Sequence, residues 1–147
     1  MDIRSRFAHL PQQQQEQALR AFPQGKKKKQ SHANALTDAI REYCALMGCA
    51  TARINVMGIW DQEKQMFRTS GSTKGVEDID VTMPVTINGR RVGIKVAVEV
   101  KIGKDAQREH QILRQQRLLH AGAHYIIAKS FDQFKQEFDA IRNDYQA

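Results

Sequence analysis

The sequence predicts an α/β domain with its elements in the order α-β-β-β-α-β-α. Three observations support this prediction. Alternating apolar residues on both sides of Asn88-Gly89 indicate a β-hairpin, because this pair suits a tight turn. Apolar residues at helical spacing lie before and after the hairpin. The length of 147 residues suits one domain with its own core.

The first half of the domain is predicted to contain a helix followed by strands. Residues 34–47 are expected to form the helix because apolar side chains recur at helical spacing and Gly48 can end it. This apolar stripe consists of Leu36, Ile40, Cys44 and Met47. Residues 51–60 are predicted to form a strand, and residues 66–69 can pair with it. The hairpin strands are expected over 77–87 and 91–101.

The second half is predicted to contain a helix, a short strand and a last helix. The helix covers residues 105–121, with an inward face formed by Ile112, Leu113, Leu118 and Leu119. Residues 123–128 are expected to form the strand. Ser130 and Gln133 match a capping box at the start of the last helix. Its expected core stripe is Phe131, Phe134, Phe138, Ile141 and Tyr145.

The turn also predicts the register of the hairpin. If Asn88 and Gly89 form a two-residue loop, the pairing runs outward from them and places Ile79 opposite Val98. Partners across the hairpin share a face, so one face is wholly apolar. A slip of one residue would mix the two faces, and burial of the apolar one is therefore expected to hold the register.

The other face of the hairpin gathers charged side chains. Continuing the register places Asp78 opposite Glu99 and puts Lys101 on the same face, because side chains alternate along a strand. Asp80 lies on this face as well. By the same alternation, Glu77 is expected on the apolar side.

These charged groups predict a metal site for phosphodiester chemistry. Two neighbouring carboxylates repel each other and resist ionisation unless a cation lies between them. Mg²⁺ prefers oxygen ligands and is commonly held by one or two carboxylates together with a substrate phosphate. Lys101 can orient the attacking water or stabilise charge on the phosphate. The alternative is a polar, solvent-facing sheet surface with ordinary salt bridges.

The net charge of +7 is concentrated near the N-terminus. Residues 1–33 contain seven lysines and arginines against two acidic residues, so they account for +5 of the total. We expect residues 1–33 to be a basic, glutamine- and lysine-rich arm, flexible or partly helical, and residues 34–147 to be the folded domain. The arm ends in a lysine run that suits nucleic-acid phosphates, with a solvated linker as the alternative. This run is Lys26, Lys27, Lys28 and Lys29.

Nothing in the sequence indicates a membrane protein. No apolar run approaches the roughly 18 residues of a membrane span, and no secretory signal is visible. Cys44 and Cys49 have a spacing that fits neither a zinc knuckle nor a redox pair, which favours buried or idle thiols in a reducing compartment. We therefore expect a cytoplasmic protein with no membrane partner.

The order of elements and the charged motifs together resemble the PD-(D/E)XK nuclease superfamily. Within it they resemble the VRR-NUC group, which includes small phage and bacterial nucleases related to Holliday-junction resolvases. The matching positions are Gly75-Val76-Glu77-Asp78, Glu99-Val100-Lys101, Gln111, Leu118 and Gly122. The resemblance covers roughly residues 34–135 and implies an αβββαβ core with a mixed central sheet flanked by helices.

The resemblance also implies roles for individual residues. Asp78, Glu99 and the carbonyl of Val100 are expected to bind Mg²⁺, for which Mn²⁺ would substitute. Lys101 would position or activate water, and Gln111 would support the site from the following helix.

This chain departs from the family pattern in two places. The residue before the aspartate, often proline in the family, is Glu77 here. The family tends to place a glutamate near the start of the first helix, where this sequence has Ala33 and Asn34. Asp38 and Glu42 lie one and two turns later, and Asp80 is a spare carboxylate. The number of metal ions is therefore left open.

Further contacts with nucleic acid are expected from basic side chains near the site. Arg53 on the first strand can approach a phosphate. Lys104 and Arg108 can form a basic flank of the 105–121 helix, with Arg114 and Arg117. Ordinary solvent-facing positions are the alternative for all of them.

The function implied by the resemblance is a Mg²⁺-dependent DNA endonuclease that prefers branched or four-way (Holliday) junction DNA. A symmetric junction needs two cuts, so a homodimer is expected. A compact nuclease with a basic arm suits a phage or mobile element, in which case the compartment is the host cytoplasm. Two alternatives are a catalytically inactive nucleic-acid-binding module and a monomeric nicking or mismatch endonuclease.

Overall fold

A four-stranded mixed sheet with accompanying helices organises the computed structural model, which describes residues 31–54, 59–68 and 73–146. The lysine run of the predicted arm lies outside these ranges. In chain order the elements are α1 (His32–Leu46), β1 (Ala50–Arg53), β2 (Ile59–Asp61), β3 (Met66–Arg68), β4 (Ile79–Ile87), β5 (Arg90–Val100), α2 (Glu109–His120), β6 (His124–Ala128) and α3 (Phe131–Asp144).

The β4–β5 hairpin forms the centre of the sheet. Asn88 and Gly89 have φ values of 50° and 75°, and the register places Ile79 opposite Val98 as predicted. β1 pairs antiparallel with β4, and β6 pairs parallel with β5, which gives the strand order β1-β4-β5-β6. The predicted α/β class, with a mixed central sheet flanked by helices, is confirmed.

The hydrophobic core lies between the apolar face of the hairpin and two helices, α1 and α3. Its fully buried members include Ile40, Ile79, Val81, Val96, Val98, Phe134 and Phe138. Burying one such side chain contributes roughly 1.5–3 kcal/mol, so a slip of the hairpin by one residue would forfeit several contributions at once. The core therefore holds the register that positions the charged face.

Serine side chains cap the N-termini of both core helices. Ser31 caps α1 by accepting a hydrogen bond from the backbone N–H of Asn34 at 3.2 Å. Gly48, with φ of 79°, follows the end of α1. Ser130 caps α3 in the same way through the N–H of Gln133 at 3.2 Å. The Gln133 side chain accepts from the N–H of Lys129, one residue before the partner that a capping box uses.

The prediction of one strand over residues 51–60 is wrong. β1 ends at Arg53, opposite Ile79, because β4 begins there and offers no earlier ladder partner. Residues 59–61 form β2 instead, which pairs with β3 in a separate two-stranded sheet. The predicted pairing with the segment beginning at residue 66 is confirmed, and residues 55–58 lie outside the described part of the chain.

The second helix differs from its prediction in length and in orientation. It begins at Glu109, so residues 105–108 precede it. Of the four apolar side chains expected to face inward, only Leu118 is buried, while Ile112, Leu113 and Leu119 are 42–50% exposed. The inward face of α2 is largely polar, because the structure turns it toward buried carboxylates. Among the described residues, no helix is long and apolar enough to cross a membrane.

Candidate active site

The predicted motifs converge where β4 begins and β5 ends. Asp78 directly precedes β4, and Glu99 and Val100 are the last residues of β5. A cleft of about 440 Å³ opens at this edge of the sheet. Its lining includes Ile54, Gly75, Asp78, Glu99, Val100, Lys101, Asp105, Arg108, His110 and Gln111.

Asp78 is held in place between two strands. Its backbone carbonyl accepts a hydrogen bond from the N–H of Ile54 at 2.9 Å, just beyond the end of β1. Its side-chain Oδ2 accepts from the N–H of Val100 at 2.8 Å. Among the described residues, no hydrogen-bond donor reaches Oδ1. One oxygen therefore fixes the carboxylate while the other remains able to bind a ligand in the cleft.

Glu99 is a buried carboxylate with only 1% of its surface exposed. Its Oε1 accepts a hydrogen bond from Gln111 Nε2 and pairs with Lys101 Nζ at 3.2 Å, while Oε2 accepts from the hydroxyl of Tyr125 at 3.3 Å. Burial and then the nearby charge of Asp78 raise the pKa of Glu99 to about 7, against the opposing effect of Lys101 and Tyr125. The repulsion expected between the two carboxylates is thus present.

Lys101 and Gln111 form a short network beside Glu99. Lys101 Nζ donates to Gln111 Oε1 at 3.1 Å and lies 3.5 Å from a carboxylate oxygen of Asp105. Gln111 Oε1 also accepts from the N–H of Arg108 at 2.9 Å, at the start of α2. The side chain of Gln111 therefore links the end of β5 to the N-terminus of the helix.

The other predicted carboxylates do not join this cluster. Asp80 pairs with Lys95 Nζ at 2.7 Å and does not line the cleft. Asp38 and Glu42 line a different cleft on α1. The first turn of α1 contains no acidic residue.

The predicted nucleic-acid contacts have different outcomes. Arg108 lines the cleft, but it precedes α2 rather than lying on its flank. Lys104 is exposed in the same connecting segment. Arg53 donates to Asn34 Oδ1 at 2.6 Å and is absent from the cleft lining. Arg108 lies just before α2 because the helix begins at Glu109 and not at residue 105.

The expectation that Glu77 faces the apolar core is also wrong. Glu77 is fully buried, but it pairs with Lys95 at 2.8 Å and with Arg114 of α2 at 3.2 Å. Strand alternation does not extend to it, because β4 starts two residues later. Burial disfavours its charged form, yet hydrogen bonds from Lys95, its own backbone and Arg114 prevail and lower its pKa.

Sequence reasoning missed two residues of the site. Tyr125 reaches Glu99 because parallel pairing of β5 and β6 places it beside Ala97, on the face that Glu99 shares. Its pKa is raised by burial and by Glu99. Asp105 contacts Lys101 from the segment before α2. Tyr125 could have been identified from the sequence by pairing the predicted 123–128 strand in parallel with the strand that carries Glu99 and Lys101.

The donor set fits a hard divalent cation. Asp78 and Glu99 supply carboxylate oxygens side by side, and Val100 lies between Glu99 and Lys101 at the cleft. The described residues contain no group of three or more His, Cys, Asp or Glu side chains clustered to hold a metal. Mg²⁺ suits such a half-site, because it usually keeps several waters and takes one or two carboxylates plus substrate phosphate.

Comparisons with known proteins support the fold. No protein-family model matches the chain, and no curated protein matches it significantly. A solved structure described as a "VRR_NUC domain" matches with a TM-score of 0.50 and 19% identity, over 73% of this chain and 94% of that one. The chain therefore has the fold of a VRR-NUC domain, as its motifs predicted.

Gly75 provides a first test of how the site is assembled. It has φ of 76°, and a Cβ there would lie 2.4 Å from the backbone oxygen of His110 in α2. We expect Gly75→Ala to lower the free energy of unfolding by about 3 kcal/mol, through backbone strain and displacement of the helix. Chemical denaturation measures the change.

Gly103→Ala is the matched control for this substitution. Gly103 has φ of 62°, but a Cβ there would meet nothing within 4 Å, so this variant isolates the backbone strain. That strain costs about 1–2 kcal/mol. Equal losses in the two variants would contradict the close approach of Gly75 to α2.

Glu77→Gln tests the buried ion pairs. At neutral pH we expect a loss of about 2 kcal/mol, because Lys95 and Arg114 lose their shared carboxylate. The folded pKa of Glu77 lies below its ordinary value of about 4.3, so its contribution is present above that pH and is lost as pH falls through the folded pKa. The difference from wild type should therefore shrink below about pH 4.

Denaturation curves from neutral to acidic pH measure this effect, with Glu42→Gln as an exposed control. A difference that stays constant through the acidic range would show that Glu77 has the same pKa in the folded and unfolded protein, which would contradict the stabilisation of its charged form by Lys95 and Arg114.

Proposed function

We propose that this protein is a Mg²⁺-dependent endonuclease that hydrolyses phosphodiester bonds in DNA. The observation that carries the proposal is the cluster of Asp78, Glu99, Lys101 and Gln111 at one cleft. An ordinary surface salt bridge would not bury a glutamate to 1% exposure beside a second carboxylate. The VRR-NUC fold of the matched structure agrees with this interpretation.

Each residue of the cluster has a distinct part in the proposed reaction. Asp78, Glu99 and the carbonyl of Val100 would hold the cation, with Mn²⁺ as a substitute for Mg²⁺. The bound cation would polarise the phosphate and make its water more acidic. Lys101 donates hydrogen bonds toward the attacking water or the developing charge on phosphate oxygens. Gln111 keeps the ammonium group and the Glu99 carboxylate in fixed positions, which avoids reorganisation during the reaction.

A preference for branched or four-way junction DNA, and a homodimer that makes paired cuts, belong to the same proposal. Both rest on the resemblance of the motifs to junction-resolving nucleases. A symmetric junction presents two equivalent strands, and a two-fold dimer presents two equivalent sites.

A catalytically inactive nucleic-acid-binding module is the second candidate. The observation that favours it lies on α1, whose first turn lacks an acidic residue. Asn34 in that turn accepts a hydrogen bond from Arg53, so a neutral amide beside a guanidinium takes the place of the carboxylate. This candidate keeps the DNA partner and removes the hydrolysis.

Cleavage assays distinguish these candidates. Wild type, Asp78→Asn and Lys101→Met are incubated with linear duplex, flap and four-way junction DNA, with Mg²⁺ or with EDTA. We expect each substitution to lower the cleavage rate by about 10²–10³-fold or more, because each removes charge stabilisation in the transition state. EDTA should abolish cleavage, and Mn²⁺ should restore it.

Asp132→Asn and Lys135→Met are the matched controls, since they make the same chemical changes on the exposed face of α3. Undiminished cleavage by Asp78→Asn would overturn the site assignment. Intact binding without cleavage of any substrate would favour the binding module. Efficient nicking of linear duplex by a monomer, measured with sedimentation, would replace junction cleavage with a nicking activity.

The lysine run Lys26–Lys29 offers a separate test of the arm. Replacing all four lysines by glutamine should reduce the magnitude of the slope of log K against log salt concentration by roughly 3 to 4. Each lost phosphate contact lowers that slope by about 0.9. Binding to short duplex DNA is measured in the Asp78→Asn background. The cleavage rate at saturating DNA, measured with Asp78 restored, should stay unchanged, since the carboxylates are intact. An unchanged salt slope would indicate a solvated linker.

A further inference from the structure

A second, smaller cleft adjoins the candidate active site. Its volume is about 220 Å³, and its lining is Thr73, Lys74, His110, Leu113, Arg114 and Arg117. It shares His110 with the catalytic cleft, and Lys74 directly precedes Gly75, which lines that cleft. The two clefts are therefore neighbours that meet at His110 and at the Lys74–Gly75 segment.

The charged side chains that line this second cleft are all basic. Its lining includes Lys74, Arg114 and Arg117 and no acidic residue. Lys74 and Arg117 are exposed, and within the described ranges no carboxylate pairs with either of them. A concave surface lined by one sign of charge concentrates its field and attracts the opposite charge.

Arg114 differs from the other two basic residues because it is anchored. Its Nε donates to the buried carboxylate of Glu77 at 3.2 Å, and the side chain is 29% exposed. The contact holds Arg114 in position in the lining of the cleft. An arginine held in one position loses less entropy when it binds an anion than a mobile lysine does.

The basic positions follow one stripe of α2 away from the catalytic Gln111. His110, Arg114 and Arg117 lie four and three residues apart, so they share a helix face. His110 and Arg117 are seven residues apart, or about 10 Å along the helix. This exceeds the roughly 3.4 Å rise per nucleotide of a duplex strand, so the stripe can reach more than one phosphate.

We propose that this second cleft is a phosphate-binding subsite that carries the backbone of the nucleic-acid strand as it leaves the catalytic cleft. Lys74, Arg117 and anchored Arg114 contact phosphates of that strand, and exposed Leu113 packs against sugar or base. The identity of the ligand as a nucleic-acid strand rests on the function proposed above. The subsite gives that strand a path along α2. Its Lys74 contact lies directly before Gly75 in the sequence.

The test measures binding of a short fluorescent duplex to the full chain carrying Asp78→Asn, over a range of salt concentrations. Adding Lys74→Gln and Arg117→Gln removes two contacts. We expect weaker binding and a slope of log K against log salt that is shallower by about 1.8 for duplex DNA, or by about 1.4 for a single strand. Both side chains are exposed, and thermal unfolding verifies that the fold is unchanged.

The matched control is Arg90→Gln with Arg91→Gln, which removes the same charge at the hairpin turn. Arg90, the first residue of β5, is nine residues along the strand from Glu99, or about 30 Å. The proposal holds if the Lys74 and Arg117 substitutions lower the slope and the control does not. Equal changes in both variants, or no change in either, would overturn it.

Failure of the subsite is distinguishable from failure of the proposed function. A wild-type protein that cleaves DNA, combined with an unchanged slope in the Lys74 and Arg117 variant, overturns the subsite alone. A wild-type protein that binds DNA without cleaving it, combined with the lowered slope, overturns the catalytic proposal and leaves the subsite standing. Absence of any DNA binding overturns both.

Discussion

Burial of the Glu99 carboxylate constrains the rest of the site. A carboxylate taken out of water needs hydrogen-bond donors, and the cost of leaving it without them exceeds the stability of most single contacts. The donors of Glu99 come from three different elements, since Lys101 follows β5, Tyr125 lies on β6 and Gln111 lies on α2. Satisfying one buried charge therefore fixes the relative positions of the sheet and the helix.

A second buried carboxylate, Glu77, imposes the same requirement on the other side of Asp78. It takes Arg114 from α2 and Lys95 from β5. Gln111 and Arg114 are three residues apart, so α2 must turn this polar stripe inward to serve both carboxylates. The consequence is visible in Leu113 and its apolar neighbours on α2, which are half-exposed because the inward positions are taken by polar side chains.

The parts of the structure that the sequence could predict are those set by local rules. The Asn88-Gly89 turn and strand alternation were enough to give the register from Ile79 to Val98, and this register brings Asp78 toward Glu99. Periodicity was enough for α1 and α3, whose inward faces are apolar. These features need only a turn type, a period of two or a period of about 3.6 residues, all of which are readable along the chain.

The features that escaped prediction depend on contacts between distant segments. Periodicity assigned the apolar side chains of α2 to the core because it cannot register that a buried carboxylate elsewhere needs Gln111. Alternation placed Glu77 in the core because it cannot locate the start of β4. The contact of Tyr125 with Glu99 depends on the parallel pairing of β6 with β5. The need for glycine at position 75 depends on the close approach of α2 to its Cα. In each case a polar group or a steric limit of another element decided the outcome.

Hydrogen bonding in the first turn of α1 also limits which side chains near the site could bind a metal ion. Arg53 and Asn34 meet there at 2.6 Å, beside the strand that carries the Ile54 contact to Asp78. A carboxylate in place of the Asn34 amide would pair with Arg53 and would be drawn toward the helix rather than toward the cleft. Under the proposed function, metal binding would therefore rest on Asp78, Glu99 and the carbonyl of Val100, and a cation held by two carboxylates would depend on substrate phosphate to complete its coordination. A site of this kind would bind its cation tightly only with nucleic acid present, so that affinity for metal and affinity for DNA would reinforce each other.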